Sequence, residues 1–137
     1  MKTLFILNDA PYGTERSYNG LRLAKAVSKL ADQQVQVFLM GDAVACAKDG
    51  QKVPAGYYNA GDMVKMVVAG GEVGLCGTCM TARGIEDGEL VPGAVRKTLA
   101  DLAKKAEEEK NAKALDDQFK AAVAKGDAAF REKKWDE

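Results

Sequence analysis

The chain has 137 residues, 47% of them hydrophobic and 29% charged, which suits one compact domain with a hydrophobic core. Twenty basic residues balance twenty acidic ones, so net charge points to neither a nucleic-acid nor a membrane-surface partner. Histidine is absent, which removes the usual general base, the usual metal ligand and every Ser/His or Cys/His pair.

Residues 3–8 form a nearly continuous apolar run, expected to be a strand buried on both faces. This run is too short for a signal h-region, and no segment approaches the roughly 20 apolar residues that span a bilayer. Asp9-Ala10-Pro11-Tyr12-Gly13 reads as a turn. Leu21, Leu23, Ala24, Val27 and Leu30 then recur at helical spacing, predicting a helix over about 15–31. Residues 35–40 are expected to form a second buried strand. Asp42 is the expected N-cap of a short helix carrying Val44, Ala45 and Cys46.

Residues 48–58 contain Asp49-Gly50, Pro54 and Ala55-Gly56 and are expected to be a loop. A helix over 62–69 ends at Gly70-Gly71, and residues 72–76 make a third strand followed by a short helix bearing Cys79. Pro92 falls in a loop. This alternation implies an α/β fold of right-handed βαβ units, a parallel sheet covered on both sides. Such sheets place their sites at the carboxyl ends of strands, so Asn8, Met40 and Cys76 are expected at one rim. From 104 onward Ala, Lys and Glu dominate. Leu99, Leu102, Ala106, Leu115, Phe119 and Val123 mark helical stripes of a long helix or helical hairpin. The expected organisation is an α/β domain over 1–103 and a charged helical extension over 104–137.

Chemistry concentrates at Cys76-Gly77-Thr78-Cys79, followed by Arg83-Gly84-Ile85. Two of the three cysteines lie one turn apart where a strand passes into a helix, a place that favours the thiolate. Arg83, another turn on, supplies positive charge to a thiolate or a bound sulfur anion. Such a pair suits a persulfide or thiol–disulfide cycle; it equally suits two small buried hydrophobes. Cys46, after the second strand, either faces the same rim or packs a short amphipathic helix. Tyr12, Gly13, Tyr57 and Tyr58 occupy loops expected to border the pocket. No Gly-rich phosphate loop follows the first strand. Three cysteines without histidine cannot complete a zinc site on their own, so neither metal nor cofactor is expected. Few and odd in number, they fit a reducing compartment, and the expected location is cytoplasmic.

Taken together, Ala10-Pro11-Tyr12-Gly13-Thr14, Ser17-Tyr18-Asn19-Gly20-Leu21-Arg22-Leu23-Ala24, Phe38-Leu39-Met40-Gly41-Asp42-Ala43-Val44, Gly50-Gln51 and Gly56-Tyr57-Tyr58-Asn59 form a pattern with Leu75–Ile85. That pattern, over about residues 1–103, resembles the DsrE-like (DsrE/TusD, DsrEFH) sulfur-relay family. The resemblance implies a three-layer α/β/α fold with a mostly parallel sheet, assembled as homo-oligomers, trimers or hexamers. It implies sulfur carried as a cysteine persulfide between donor and acceptor proteins. The acceptor cysteine of such proteins lies eight positions before the glycine of an Arg-Gly pair, which here selects Cys76 before Arg83-Gly84. Cys79 belongs to a C-x-x-C subset, as a resolving thiol.

Two departures from the family pattern stand out. A last apolar strand normally follows the helix at Thr98-Leu99-Ala100-Asp101-Leu102-Ala103, and none is expected here. The stretch from Gly126 through Phe130 and Trp135 resembles the opening of a tetratricopeptide repeat, so a fused, truncated or engineered tail is expected. The leading expectation is a persulfide carrier or sulfurtransferase using Cys76, with Cys79 and Arg83, and with Tyr12, Gly13, Cys46 and Tyr58 around the substrate. The alternatives are a non-catalytic homo-oligomeric scaffold with a partner-binding tail, and a small thiol–disulfide oxidoreductase.

Overall fold

The computed structural model describes residues 1–124, which fall into two compact units, Met1–Thr98 and a second that starts at Leu99. In the first unit β1 (Lys2–Leu7), β2 (Gln34–Leu39), β3 (Gly71–Cys76) and β4 (Ala94–Lys97) form one sheet in the order β1-β2-β3-β4. Every neighbouring pair is parallel, with Phe5 opposite Val37, Val37 opposite Val73 and Val73 opposite Ala94. Helices α1 (Arg16–Ser28), α2 (Ala60–Val68) and α3 (Gly77–Ala82) and 3-10 segments at Gly41–Ala47 and Asp87–Glu89 connect the strands. The α/β architecture expected from the sequence is therefore present.

Strand order equals chain order, and parallel crossovers are right-handed in nearly all proteins. Successive crossovers in one direction stack α1 and α2 on one face of the sheet, where they touch each other. Val35, Val37 and Leu39 of β2 and Val73 and Leu75 of β3 point there. They meet Leu21 and Ala24 of α1 and Val64 and Val67 of α2, all buried. The other face is less uniform: Phe38 is buried, but Leu4, Ile6 and Val95 remain about half exposed. The expectation that the first strand is buried on both faces is thus corrected. β1 is an edge strand whose Thr3, Phe5 and Leu7 are half-buried while Lys2, Leu4 and Ile6 are exposed.

Helix α1 is shorter than its apolar spacing suggests. It stops at Ser28, whose hydroxyl donates to the Lys25 carbonyl, and Asp32 then takes a left-handed φ of 61°. Helix α2 begins earlier than expected because the Asn59 side chain accepts the Asp62 N–H and caps it. Asp42 caps nothing: Met40 occupies the cap position of the Gly41–Ala47 segment, with no side-chain capping bond. Strand β4 was not legible, being four residues long with only Ala94 and Val95 apolar.

In the second unit, α4 (Leu99–Ala124) is one continuous helix, so the single-helix alternative describes this stretch and Lys104 falls inside it. Its solvated character is visible in exposed Leu99 and Leu115 and in the Lys113–Asp117 i,i+4 pair at 3.6 Å. No strand follows β4 among the described residues. The side chains of Phe119 and Val123, and the repeat-like stretch with Phe130 and Trp135, lie outside the described residues. Among the described residues no helix is long and apolar enough to cross a membrane.

Candidate active site

Cys76 is the last residue of β3 and the N-cap of α3, with extended backbone (φ −61°, ψ 113°) that places its sulfur beside the first turn of α3 without a capping hydrogen bond. It is 5% exposed, lying close beneath the surface. Burial by itself pushes the thiol up. The Cys79 N–H, the Cys79 side chain, the Thr78 N–H and the charge of Arg83 together outweigh it and hold the Cys76 thiol below its ordinary 9.0. The anion is favoured by groups the backbone fixes in place.

Arg83 is anchored on both sides. Its Nε and Nη2 donate to Asp42 Oδ1 at 3.0 and 2.9 Å, and its Nη1 donates to the Cys79 carbonyl at 3.0 Å. The local sequence explains how it gets there. Gly84 takes φ +65°, the Gly84 N–H donates to the Thr81 carbonyl, and the Ile85 N–H donates to the Met80 carbonyl. This Schellman closure needs a residue without a Cβ at Gly84 and packs Ile85 into the core with Met80. The Arg-Gly-Ile run therefore stops α3 and leaves the guanidinium folded back over its last turn.

Two residues that the sequence did not mark as site residues complete this site. Asp42, whose acidic character suggested only a cap, is the carboxylate that orients Arg83. Arg96 of β4 donates from Nη1 to the Gly77 carbonyl at 3.1 Å and to Thr81 Oγ1 at 3.3 Å, and from Nε to Asp87 Oδ1 at 2.6 Å. A Cβ on Gly77 would lie 3.1–3.3 Å from the Arg96 side chain, so the glycine is what lets this arginine brace the start of α3. Finding Arg96 required β4, which the sequence had hidden.

The other expected site residues make contacts of their own. Cys46 is fully buried in the 3-10 segment, and burial, only partly opposed by a hydrogen bond with Ser17, pushes its thiol up to about 11. It belongs to the core and cannot serve as a rim thiol. Tyr12 and Tyr58 stack at 5.5 Å between centroids, and Tyr58 stacks on Tyr18 at 4.1 Å. Both phenols are engaged inside the chain. The Tyr12 hydroxyl donates to Gln51 Oε1 and accepts the Ala60 N–H at 3.1 Å, while Tyr58 donates to the Pro11 carbonyl at 3.0 Å. Gln51 then donates from Nε2 to the carbonyls of Ala45, Cys46 and Lys48 at 3.3, 3.1 and 2.8 Å. Gly13, at φ +95° with open space around it, makes the turn that presents Tyr12.

This network ties the loop after β1 to the start of α2. Tyr12→Phe leaves the Ala60 amide, 2% exposed, without its acceptor. The expected cost is about 1 kcal/mol of stability, read by urea denaturation.

Among the described residues no group of three or more Cys, Asp or Glu is placed to hold a metal ion. All three cysteines are free thiols.

A model of the DsrE/DsrF-like family matches residues 1–112. The chain belongs to the DsrE/DsrF-like family. It is 39% identical over 104 residues to protein YchN of Escherichia coli K12, covering 74% of this chain and 88% of YchN. It is 37% identical over 103 residues to an uncharacterized protein of Methanocaldococcus jannaschii, covering 74% of this chain and 89% of that one. The crystal structure of Escherichia coli YchN superposes with a TM-score of 0.69 at 39% identity, over 74% of this chain and 87% of that one. A protein of unknown function from Methanobacterium thermoautotrophicum shares the fold, with a TM-score of 0.61 at 12% identity over 79% and 93% of the two chains.

Proposed function

We propose that the chain carries sulfane sulfur as a persulfide on Cys76, receiving it from one protein and passing it to another. The observation that carries this reading is the position of Cys76 at the junction of β3 and α3, where the neighbouring Thr78 and Cys79 amides and the charge of Arg83 lower its thiol against the effect of burial. Family membership supports a sulfur-relay-like role. In the loading step the Cys76 thiolate attacks the outer sulfur of a donor persulfide. The donor S–S bond breaks, its cysteine leaves as thiolate, and Cys76 keeps the outer sulfur with its negative charge. Delivery is the same exchange in reverse sense, with an acceptor thiolate attacking the outer sulfur and Cys76 leaving. No oxidant or reductant is consumed.

The amides of Thr78 and Cys79 that favour the thiolate also favour it as leaving group, because the same charge returns to the same atom. Cys79, half-buried beside Cys76, is the neighbour able to attack the inner sulfur of a loaded Cys76 persulfide. That attack forms a Cys76–Cys79 disulfide and expels the outer sulfur as hydrosulfide, a side branch that a thiol reductant must then reverse. The half-exposed Leu4, Ile6 and Val95 support a homo-oligomeric form, which is part of this reading.

Incubation with a small-molecule persulfide, followed by mass spectrometry of intact protein and peptides, tests the proposal. One added sulfur atom on the Cys76 peptide is expected, lost completely in Cys76→Ser and retained in Cys46→Ala. Sulfur that loads equally well on Cys76→Ser would overturn it.

A further inference from the structure

A cavity of about 680 Å³ lies between α1, the loop before α2, and α2 itself, and none of Cys76, Cys79 and Arg83 lines it. Tyr18 and Tyr58, stacked on one another, form part of its wall. Tyr57 is 73% exposed at its mouth, and Met63 and Met66 of α2 add flexible apolar surface. Three cations line the same cavity: Arg22 and Lys25 from α1 and Lys52 from the loop. Arg22 sits 5.3 Å from the Tyr18 ring centroid and donates to Asn19.

None of these three cations has a carboxylate partner among the described residues. The one acidic lining residue, Asp62, is shared with Lys65 at 3.6 Å. Positive charge therefore exceeds negative in a cleft with partly apolar walls, which strengthens its field. Lys25 is half-buried without an anion.

Two properties select the kind of occupant. Small ligands are usually enclosed over about 70–90% of their surface, whereas this cleft is open along one side. Tyr, Met and Arg are also the residue types that concentrate at the centre of protein–protein contacts. We propose that the cleft docks an acidic segment of a partner protein. Its aromatic or aliphatic anchor lies against Tyr57, Met63 and Met66, and its carboxylates meet Arg22, Lys25 and Lys52. The proposal stands apart from the sulfur chemistry, since no residue is shared with Cys76 and its neighbours.

Selection of random linear peptides displayed on phage against the full chain tests it. Fluorescence anisotropy of the winning peptide then follows, on the wild type and on Arg22→Glu/Lys25→Glu/Lys52→Glu. The expected winners are acidic with an aromatic or aliphatic anchor, and their affinity falls at least about tenfold on charge reversal. Tyr57→Ala is expected to weaken them as well, and raising salt should do the same. Circular dichroism checks the fold, and Lys25→Gln/Lys52→Gln serves if the triple variant does not fold. Sulfur loading of Cys76 stays unchanged in either variant. No enriched peptide, enriched peptides without acidic residues, or affinity indifferent to the charge changes would each overturn the proposal. So would ATP binding to the cleft more tightly than any peptide, which reassigns it to a small anion.

Discussion

Treated with a small alkylating reagent at neutral pH, the folded chain is expected to react first at Cys76, while Cys46 stays unmodified. A thiol titrating at about 11 is ionised to roughly one part in ten thousand at pH 7, about a hundredth of the thiolate present in an ordinary thiol at 9.0. Full burial of Cys46 slows it further. The Cys76 thiol is held below 9.0, so its thiolate fraction exceeds the ordinary one. Each unit of lowering multiplies thiolate about tenfold but costs about threefold in nucleophilicity, leaving a net gain of about threefold. Arg83→Gln removes one of the groups that hold Cys76 down, and its reaction is expected to slow and shift to higher pH. Peptide mapping by mass spectrometry against time and pH reads all of this. Cys46 labelled in the folded chain as fast as in urea, or Cys76 no faster than in urea, would contradict the assigned electrostatics.

The selectivity just described was only half visible in the sequence. A strand running into Cys76-Gly77-Thr78-Cys79 was legible because Val73, Leu75 and the flanking glycines punctuate it, and Arg83-Gly84 because glycine at the end of a helical stretch signals a left-handed stop. Both features act over a few neighbouring residues. What the sequence did not convey is pairing across the fold. Asp42 reads as a cap from its neighbours alone, and only the adjacency of the β2 and β3 carboxyl ends brings it to Arg83, 41 residues away. Arg96 reaches Gly77 through β4, a strand too short for alternation to declare itself.

The tyrosines teach the same lesson from the other side. Tyr12 and Tyr58 stand on loops at the right end of the sheet, which made them candidates for the Cys76 pocket. The strand order contains no reversal, so it provides no switch-point crevice to gather every loop around one ligand. The tyrosines instead latch one loop to another, and the exposed Tyr57 beside them fronts a separate cleft. Cys46 was ambiguous because its segment follows β2 just as the helix capped by Cys76 follows β3. Both are buried, and what separates them is that the amides of Thr78 and Cys79 and the charge of Arg83 offset burial at Cys76, whereas at Cys46 burial prevails.

Cys46 also sets an expectation for stability in alkali. Its folded-state thiol titrates at about 11, against 9.0 when the chain is unfolded. Because the folded value is raised, the contribution is fully present below 9.0 and is lost as pH climbs through about 11: the unfolded chain releases the proton first. The loss amounts to about 1 kcal/mol by about pH 10 and about 2 kcal/mol by about pH 11. Cys46→Ala removes the titrating group and only a small volume, and Ser17 keeps its bond to the Asp9 carbonyl at 2.6 Å. Other groups titrate in both proteins, so the difference between their urea-denaturation curves isolates Cys46. The variant is expected to start slightly less stable near neutrality and to overtake the wild type as pH rises above 9.0. Curves that stay parallel across that range would mean the Cys46 thiol ionises as freely folded as unfolded. Cys46 would then be a candidate second sulfur carrier after all.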